Sequence, residues 1–173
     1  MSKTVLVTGG AGFIGSHTVD ALIENGYKVR VYDNLNPQVH GETSEKPGYL
    51  HPDAEFIKGD VRNRAGLYQA IKNVDLIIHD AAEVGVGQSM YSIDQYISTN
   101  VQGTGMLWDI LINEKHSVKK VLVASSMSLY GEGCYQCEEH GKISPKPRPE
   151  NQLSDGQWEM LCPECSLQVT PIP

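Results

Sequence analysis

The chain has 173 residues, a length that fits one domain with an appendage. Apolar residues at 40% and charged residues at 20% are ordinary for a soluble globular protein. The formal net charge of −7 argues against a nucleic-acid partner, which demands clustered Lys and Arg, and no apolar run approaches the roughly 20 residues of a membrane span.

From Met1-Ser2-Lys3 the chain enters an apolar stretch with no cleavage region, so no secretory signal is read and a cytoplasmic setting is expected. Lys3 to Thr8 is short, β-branched and apolar, as in a buried parallel strand. Glycines follow. A helical stripe of Ile14, Val19, Leu22 and Ile23 then predicts a helix over 13–25, closed by Asn25-Gly26. Tyr27 to Tyr32 is a second strand, and 34–53 a polar loop rich in Pro and Gly. Further strands are expected at 54–58, 75–79 and 120–125, with helices at 63–72 and 94–113. Alternating strands and helices imply βαβ units with right-handed crossovers. The predicted fold is α/β, a Rossmann-type doubly wound parallel sheet in the order 3-2-1-4-5.

The segment TGGAGFIGS therefore joins the first strand to the first helix. Gly9 permits the tight turn, Gly12 lets a pyrophosphate approach the backbone, and Gly15 allows close packing of helix on strand. The amides opening the helix, at Phe13 and Ile14, and the positive end of its dipole favour an anion. A turn without a ligand is the alternative. Asp33 ends the second strand 18 residues beyond Gly15, close to the roughly 20 expected of a ribose-binding carboxylate. Its charge would repel a 2′-phosphate, which favours NAD over NADP.

These features extend into an ordered set: Thr8-Gly9-x-x-Gly12-x-x-Gly15, Asp33-Asn34, Gly59-Asp60-Val61, His79-x-Ala81-Ala82, Asn100-Val101-x-Gly103-Thr104, and Ser125-Ser126 followed by Tyr130-Gly131. The set resembles the extended short-chain dehydrogenase/reductase family, in particular its NAD-dependent sugar-nucleotide epimerases and dehydratases. NLNPQVHGE, VGVGQSMY and SSMSLYGEG look most like dTDP-L-rhamnose 4-epimerases and close relatives. The resemblance implies NAD as cofactor, Asp60 and Val61 at its adenine, and Ala81 and Ala82 along its channel. It also implies Asn100 behind the nicotinamide end and Ser126 as the catalytic hydroxyl. A dTDP- or UDP-sugar substrate follows, and a homodimer is compatible with it. Asp80 departs from the pattern, standing where the family usually has an apolar residue.

The family also needs a Tyr-x-x-x-Lys after the fifth strand, the Tyr as acid/base and the Lys to lower its pKa. The chain contains this spacing only at Tyr68–Lys72, before Ser126, where it reads as an ordinary i,i+4 pair. The expectation is a truncated epimerase, inactive alone. A sugar-nucleotide 4,6-dehydratase is the runner-up, disfavoured by Met127-Ser128 where an acidic pair would stand. A non-catalytic NAD-binding module is the other alternative.

All four cysteines and six of the nine prolines lie within 131–173. In a reducing compartment such cysteines point to metal before disulfides. Cys134-x-x-Cys137 and Cys162-x-x-Cys165, with 24 residues between the two pairs, predict a zinc-ribbon-like insertion with four thiolate ligands. Four unrelated thiols are the alternative, and His140 reads as a bystander. The expected division is 1–130 for the NAD-binding domain and 131–173 for the insertion.

Overall fold

The computed structural model describes residues 2–43, 45–126, 129 and 131–173. The chain divides into two compact units, 1–124 and 125–173.

The first unit is a five-stranded parallel sheet ordered β3-β2-β1-β4-β5, as the alternation of elements predicts. Its strands are β1 (Thr4–Thr8), β2 (Lys28–Asp33), β3 (Glu55–Lys58), β4 (Leu76–His79) and β5 (Lys120–Val123). Thr8 pairs with both Tyr32 and His79, so three strand ends meet at one edge. Successive β1 side chains alternate between faces. Val5 and Val7 pack with Val29, Val31 and, from α1 (Phe13–Glu24), Val19. Leu6 and Ile77 pack on the other face with Leu67 and Ile71 of α3 (Arg64–Ile71), and with Leu107 and Ile110 of α6 (Thr104–Asn113). Burying each such aliphatic side chain contributes about 1.5–3 kcal/mol.

Local chemistry sets the helix ends. Gly26, at φ 81°, carries the chain out of α1, where the Gly26 amide bonds Ile23 O and the Tyr27 amide bonds Leu22 O. The Asn63 side chain caps α3 by accepting from the Gly66 amide at 3.1 Å. Two expectations need refinement. The polar loop after β2 contains a short helix, α2 (Pro37–His40), started by Pro37 and capped by Asn36. The expected helix over 94–113 begins after α4 (Val86–Ser89) as α5 (Ile93–Tyr96), passes through a π-helical stretch Ile97–Gly103, and continues as α6. No described helix is long and apolar enough to cross a membrane.

The second unit contains a three-stranded antiparallel sheet, β7-β6-β8, built from β6 (Cys134–Cys137), β7 (Gly141–Ile143) and β8 (Thr170–Ile172). A short helix, α7 (Glu150–Ser154), lies in the long connection, which Gln152 ties by donating to Gln157 O and Glu159 O. Its buried centre is small: Cys137, Met160, Cys162 and Val169, with Tyr135, Ile143 and Cys165 around them.

Candidate functional site

The first unit carries a cleft of about 320 Å³ at the edge where β1, β2 and β4 end. Open parallel sheets bind ligands at such carboxyl ends. Of the residues assigned to the cofactor from sequence, Gly9, Gly12, Phe13, Ile14, Gly15, Asp33, Asn34, Val61, Ala81 and Ala82 line it. Asp60 and Asn100 do not.

The glycine turn is shaped by close backbone approach. Gly9 sits at φ 70°, and a Cβ there would meet the Ala81 amide nitrogen at 2.7 Å. A Cβ on Gly15 would fall 2.3 Å from Gly9 O. Gly12 caps α1 without a side-chain hydrogen bond, and the first turn carries no acidic residue. Its amides are therefore left for water or an anionic ligand.

Asp33 is 7% exposed. Its Oδ2 accepts from the Ala11 amide at 3.0 Å and its Oδ1 from the Leu35 amide at 2.9 Å. The turn and the end of β2 are thus held together by one carboxylate. His40 Nε2 lies 3.7 Å from Asp33 Oδ1. The Tyr49 hydroxyl donates to Ala11 O at 2.6 Å and lies 3.0 Å from His40 Nδ1. Burial, then the Asp33 charge, pushes the Tyr49 phenol up.

Asp60 and Asn100 act on the cleft wall from behind. Arg62 donates to the Asp60 carboxylate through its amide at 2.8 Å and its guanidinium at 2.6 and 2.9 Å, while Asn34 donates at 3.3 Å. The Arg62 side-chain bonds, against a partial burial penalty, lower Asp60 to about 2. Asn100, in the π-helical stretch, accepts from the Glu83 amide at 2.8 Å and donates to Glu83 O at 3.0 Å, fixing the loop after β4. Glu83 in turn accepts from Asn36 at 3.1 Å, and Gln38 and Gln88 exchange hydrogen bonds at 3.0 Å. Both rim loops are tied to each other.

Behind the strand ends runs a polar chain. Thr104 donates to Asn100 O at 2.7 Å, His79 Nε2 lies 3.0 Å from Thr104 Oγ1, His79 Nδ1 lies 2.7 Å from Thr8 Oγ1, and the Ala81 amide donates to Thr8 Oγ1 at 3.3 Å. One neutral tautomer, protonated at Nε2, satisfies every bond. Burial pushes the imidazole down, which keeps it neutral. Asp80 lines the cleft with its carboxyl pushed up by burial.

Asn36, Gln38, Val39, His40, Glu83 and Thr99 also line the cleft and were missed in the sequence. No local signal marks them, although the turn chemistry of Asn36-Pro37 announces the short helix that brings three of them there. The Thr99 hydroxyl is buried without a hydrogen-bond partner among the described residues. A buried hydroxyl in this state calls for a ligand or water. The bare helix start, the Asp33 carboxylate and this orphaned hydroxyl together fit a dinucleotide.

Tyr68 and Lys72 do not line the cleft. Lys72 Nζ stands 5.1 Å from the centre of the Tyr68 ring, and the Tyr68 hydroxyl points to Lys115 O. Ser126 falls in the second unit, its carbonyl accepting from the Leu129 amide at 3.1 Å. Met127, Ser128 and Tyr130 lie outside the described residues.

The cysteine quartet expected from the two C-x-x-C pairs is not the group that forms. Cys137, His140, Cys162 and Cys165 place one ligand atom each within 4.8 Å of one another. Cys134 is outside that group, its Sγ 3.6 Å from Ser144 Oγ. The physical reason is strand alternation. Cys134 and Cys137 are three apart within β6 and so face opposite ways. Cys137 and His140, with the same spacing, flank the turn between β6 and β7 and converge. Backbone amides of His140 and Glu139 favour the Cys137 thiolate and, with the His140 ring, lower it to about 6 despite burial. The Leu167 amide favours the Cys165 thiolate, yet burial and the neighbouring Cys162 and Cys137 sulfurs push Cys165 up to about 11.

The sequence profile of the NAD dependent epimerase/dehydratase family matches residues 5–152. Among curated proteins, a dTDP-L-rhamnose 4-epimerase of Burkholderia thailandensis is 38% identical over 160 residues, covering 91% of this chain and 44% of that protein. A putative UDP-glucose 4-epimerase of Methanocaldococcus jannaschii is 39% identical over 145 residues, covering 82% of this chain and 44% of that protein. Among solved structures, a UDP-glucose 4-epimerase from Brucella ovis in complex with NAD superposes with a TM-score of 0.64 at 31% identity, covering 84% of this chain and 43% of that one. The chain thus spans less than half the length of each.

Proposed function

Because the chain belongs to the NAD-dependent epimerase/dehydratase family, we propose that it is the cofactor-binding part of a nucleoside-diphosphate-sugar 4-epimerase. The observation that carries the reading is the Asp33 carboxylate bonded to the Ala11 amide of the glycine turn, just ahead of a helix α1 that has no side-chain cap. In this proposal the first-turn amides of α1 bind the pyrophosphate of NAD, and Asp33 accepts from the ribose hydroxyls. Val61, Ala81 and Ala82 flank the bound cofactor, while Asp60 and Asn100 position the walls rather than touch it. Bound NAD would supply reversible oxidation at sugar C4. Ser126 is assigned the hydrogen bond to the reacting sugar oxygen, and the acid/base Tyr must come from outside the Tyr68–Lys72 pair.

The substrate is assigned as a dTDP- or UDP-linked hexose, a choice supported by the names of the relatives. Four free cysteines support a reducing, cytoplasmic setting. Exposed Ile97, Val101, Trp108 and Ile112, on the π-helical stretch and α6, support a homodimer. The non-catalytic alternative is favoured by one observation, the remoteness of Tyr68 and Lys72 from the cleft. The decisive experiment supplies a Tyr-x-x-x-Lys segment after the cysteine-rich region and follows dTDP- and UDP-hexose interconversion by NMR. Epimerisation abolished by Ser126→Ala supports the enzyme. NAD binding without any turnover favours the binding module.

A further inference from the structure

We propose that Cys137, His140, Cys162 and Cys165 bind one structural zinc ion through three thiolates and His140 Nδ1, with Cys134 outside the site. The geometry is independent of the epimerase reading. Zn–S bonds of about 2.3 Å and Zn–N bonds of about 2.0 Å make a tetrahedron with S···S edges of roughly 3.8 Å and S···N edges of roughly 3.5 Å. The structure places Cys137 Sγ 3.6 Å from Cys165 Sγ, and His140 Nδ1 3.7 Å from Cys137 Sγ and 3.5 Å from Cys162 Sγ. These separations match the edges of a zinc tetrahedron, while the sulfurs are too far apart to be disulfide-bonded.

Each ligand pair stands on a turn. Gly141 at φ 70° follows the first pair. In the second, the Ser166 amide bonds Cys162 O at 2.9 Å, the Cys162 amide bonds Leu167 O at 2.8 Å, and Ser166 takes φ 60°. The remaining ring nitrogen, His140 Nε2, lies 3.4 Å from a Glu164 carboxylate oxygen. Zinc-bound imidazoles habitually hand their second N–H to such a carboxylate, which orients the ring. Three thiolates with one imidazole are a closed donor set suited to structural zinc rather than catalysis. Among the described residues, only Met160 and Val169 add buried apolar side chains around the group. They are too few to hold the second unit together, so ligation becomes a main source of its folding free energy.

The test uses the intact chain, purified under reducing conditions, with zinc or cobalt(II) as the probe. Metal analysis should find one zinc per chain. Cobalt(II) should give the ligand-field spectrum of three sulfurs and one nitrogen, and Cys134→Ser should leave both results unchanged. His140→Ala should weaken zinc binding by more than the about 10–100-fold typical of losing an orienting partner, and Glu164→Gln should fall within that range. His140→Cys should retain zinc and shift the cobalt spectrum to four sulfurs, which separates loss of a ligand from loss of folding. A four-sulfur spectrum in the unsubstituted chain, loss of metal on Cys134→Ser, or zinc-free protein would each overturn the assignment.

Discussion

The carboxylate of Asp33 accepts the amide hydrogen of Ala11 at 3.0 Å, joining the end of β2 to the glycine turn across 22 positions of sequence. One group therefore shapes the glycine turn and, in the proposed complex, meets the ribose, where its charge would set the cofactor preference.

Asp33→Ala should reduce NAD affinity by roughly tenfold to a hundredfold, the equivalent of about 1.5–3 kcal/mol for hydrogen bonds to a charged group. NADP affinity should change much less, because the lost carboxylate also stops repelling the 2′-phosphate. Calorimetry with both cofactors measures this. Equal affinity for NAD and NADP in the unsubstituted chain would refute the role given to Asp33.

Gly15→Ala should abolish NAD binding, since its methyl would lie 2.3 Å from Gly9 O and push the turn apart. Gly105→Ala is the matched control. It sits in α6 with nothing within 4 Å of where its methyl would stand, and should be neutral or stabilise the helix by up to about 1 kcal/mol. Cofactor titration alongside thermal unfolding distinguishes a local clash from global unfolding.

His79 is 3% exposed between Thr8 and Thr104, and burial holds its pKa below the ordinary 6.5. Below that value the unfolded chain binds a proton that the native chain refuses, so the first unit should lose stability as pH falls through and below 6.5. Two carboxylates add to the acid profile. Asp80, raised by burial, opposes the loss on acidification, whereas Asp60, lowered to about 2, adds to it only as pH falls from 3.8 towards that value. Urea midpoints against pH, with the His79 ring followed by NMR, check the order. An imidazole that charges at or above pH 6.5 in the folded chain would contradict it.

Tyr68→Phe should leave cofactor binding unchanged, because the phenol touches Lys115 and Lys72 and not the cleft. A polypeptide of these 173 residues, assayed with NAD and dTDP- or UDP-hexoses, should show no 4-epimerisation. A clear loss of NAD affinity in the Tyr68 variant, or turnover by the chain alone, would show that this pair has been misjudged.

The sequence alone determined the glycine turn and the Asp33 position through turn chemistry and spacing, the sheet order through the alternation of strands and helices with its crossover rules, and the family through resemblance to an ordered set of motifs. Asn25-Gly26, following a helical stripe, announces the end of that helix because Gly26 can take a positive φ, and Gly15 can be read before its neighbours are known. Only the tertiary structure decided what the side chains meet. The Thr8–His79–Thr104 chain joins positions 71 and 25 apart, and α2 brings Gln38, Val39 and His40 to the cleft through a turn inside a loop. The cysteines show the limit most clearly. A spacing of three is the same in Cys134–Cys137, Cys137–His140 and Cys162–Cys165, but a strand sends its two side chains to opposite faces while a turn brings them together. Which of the three is a strand depends on the pairing of β6 with β7 and β8, and no count along the chain contains that pairing.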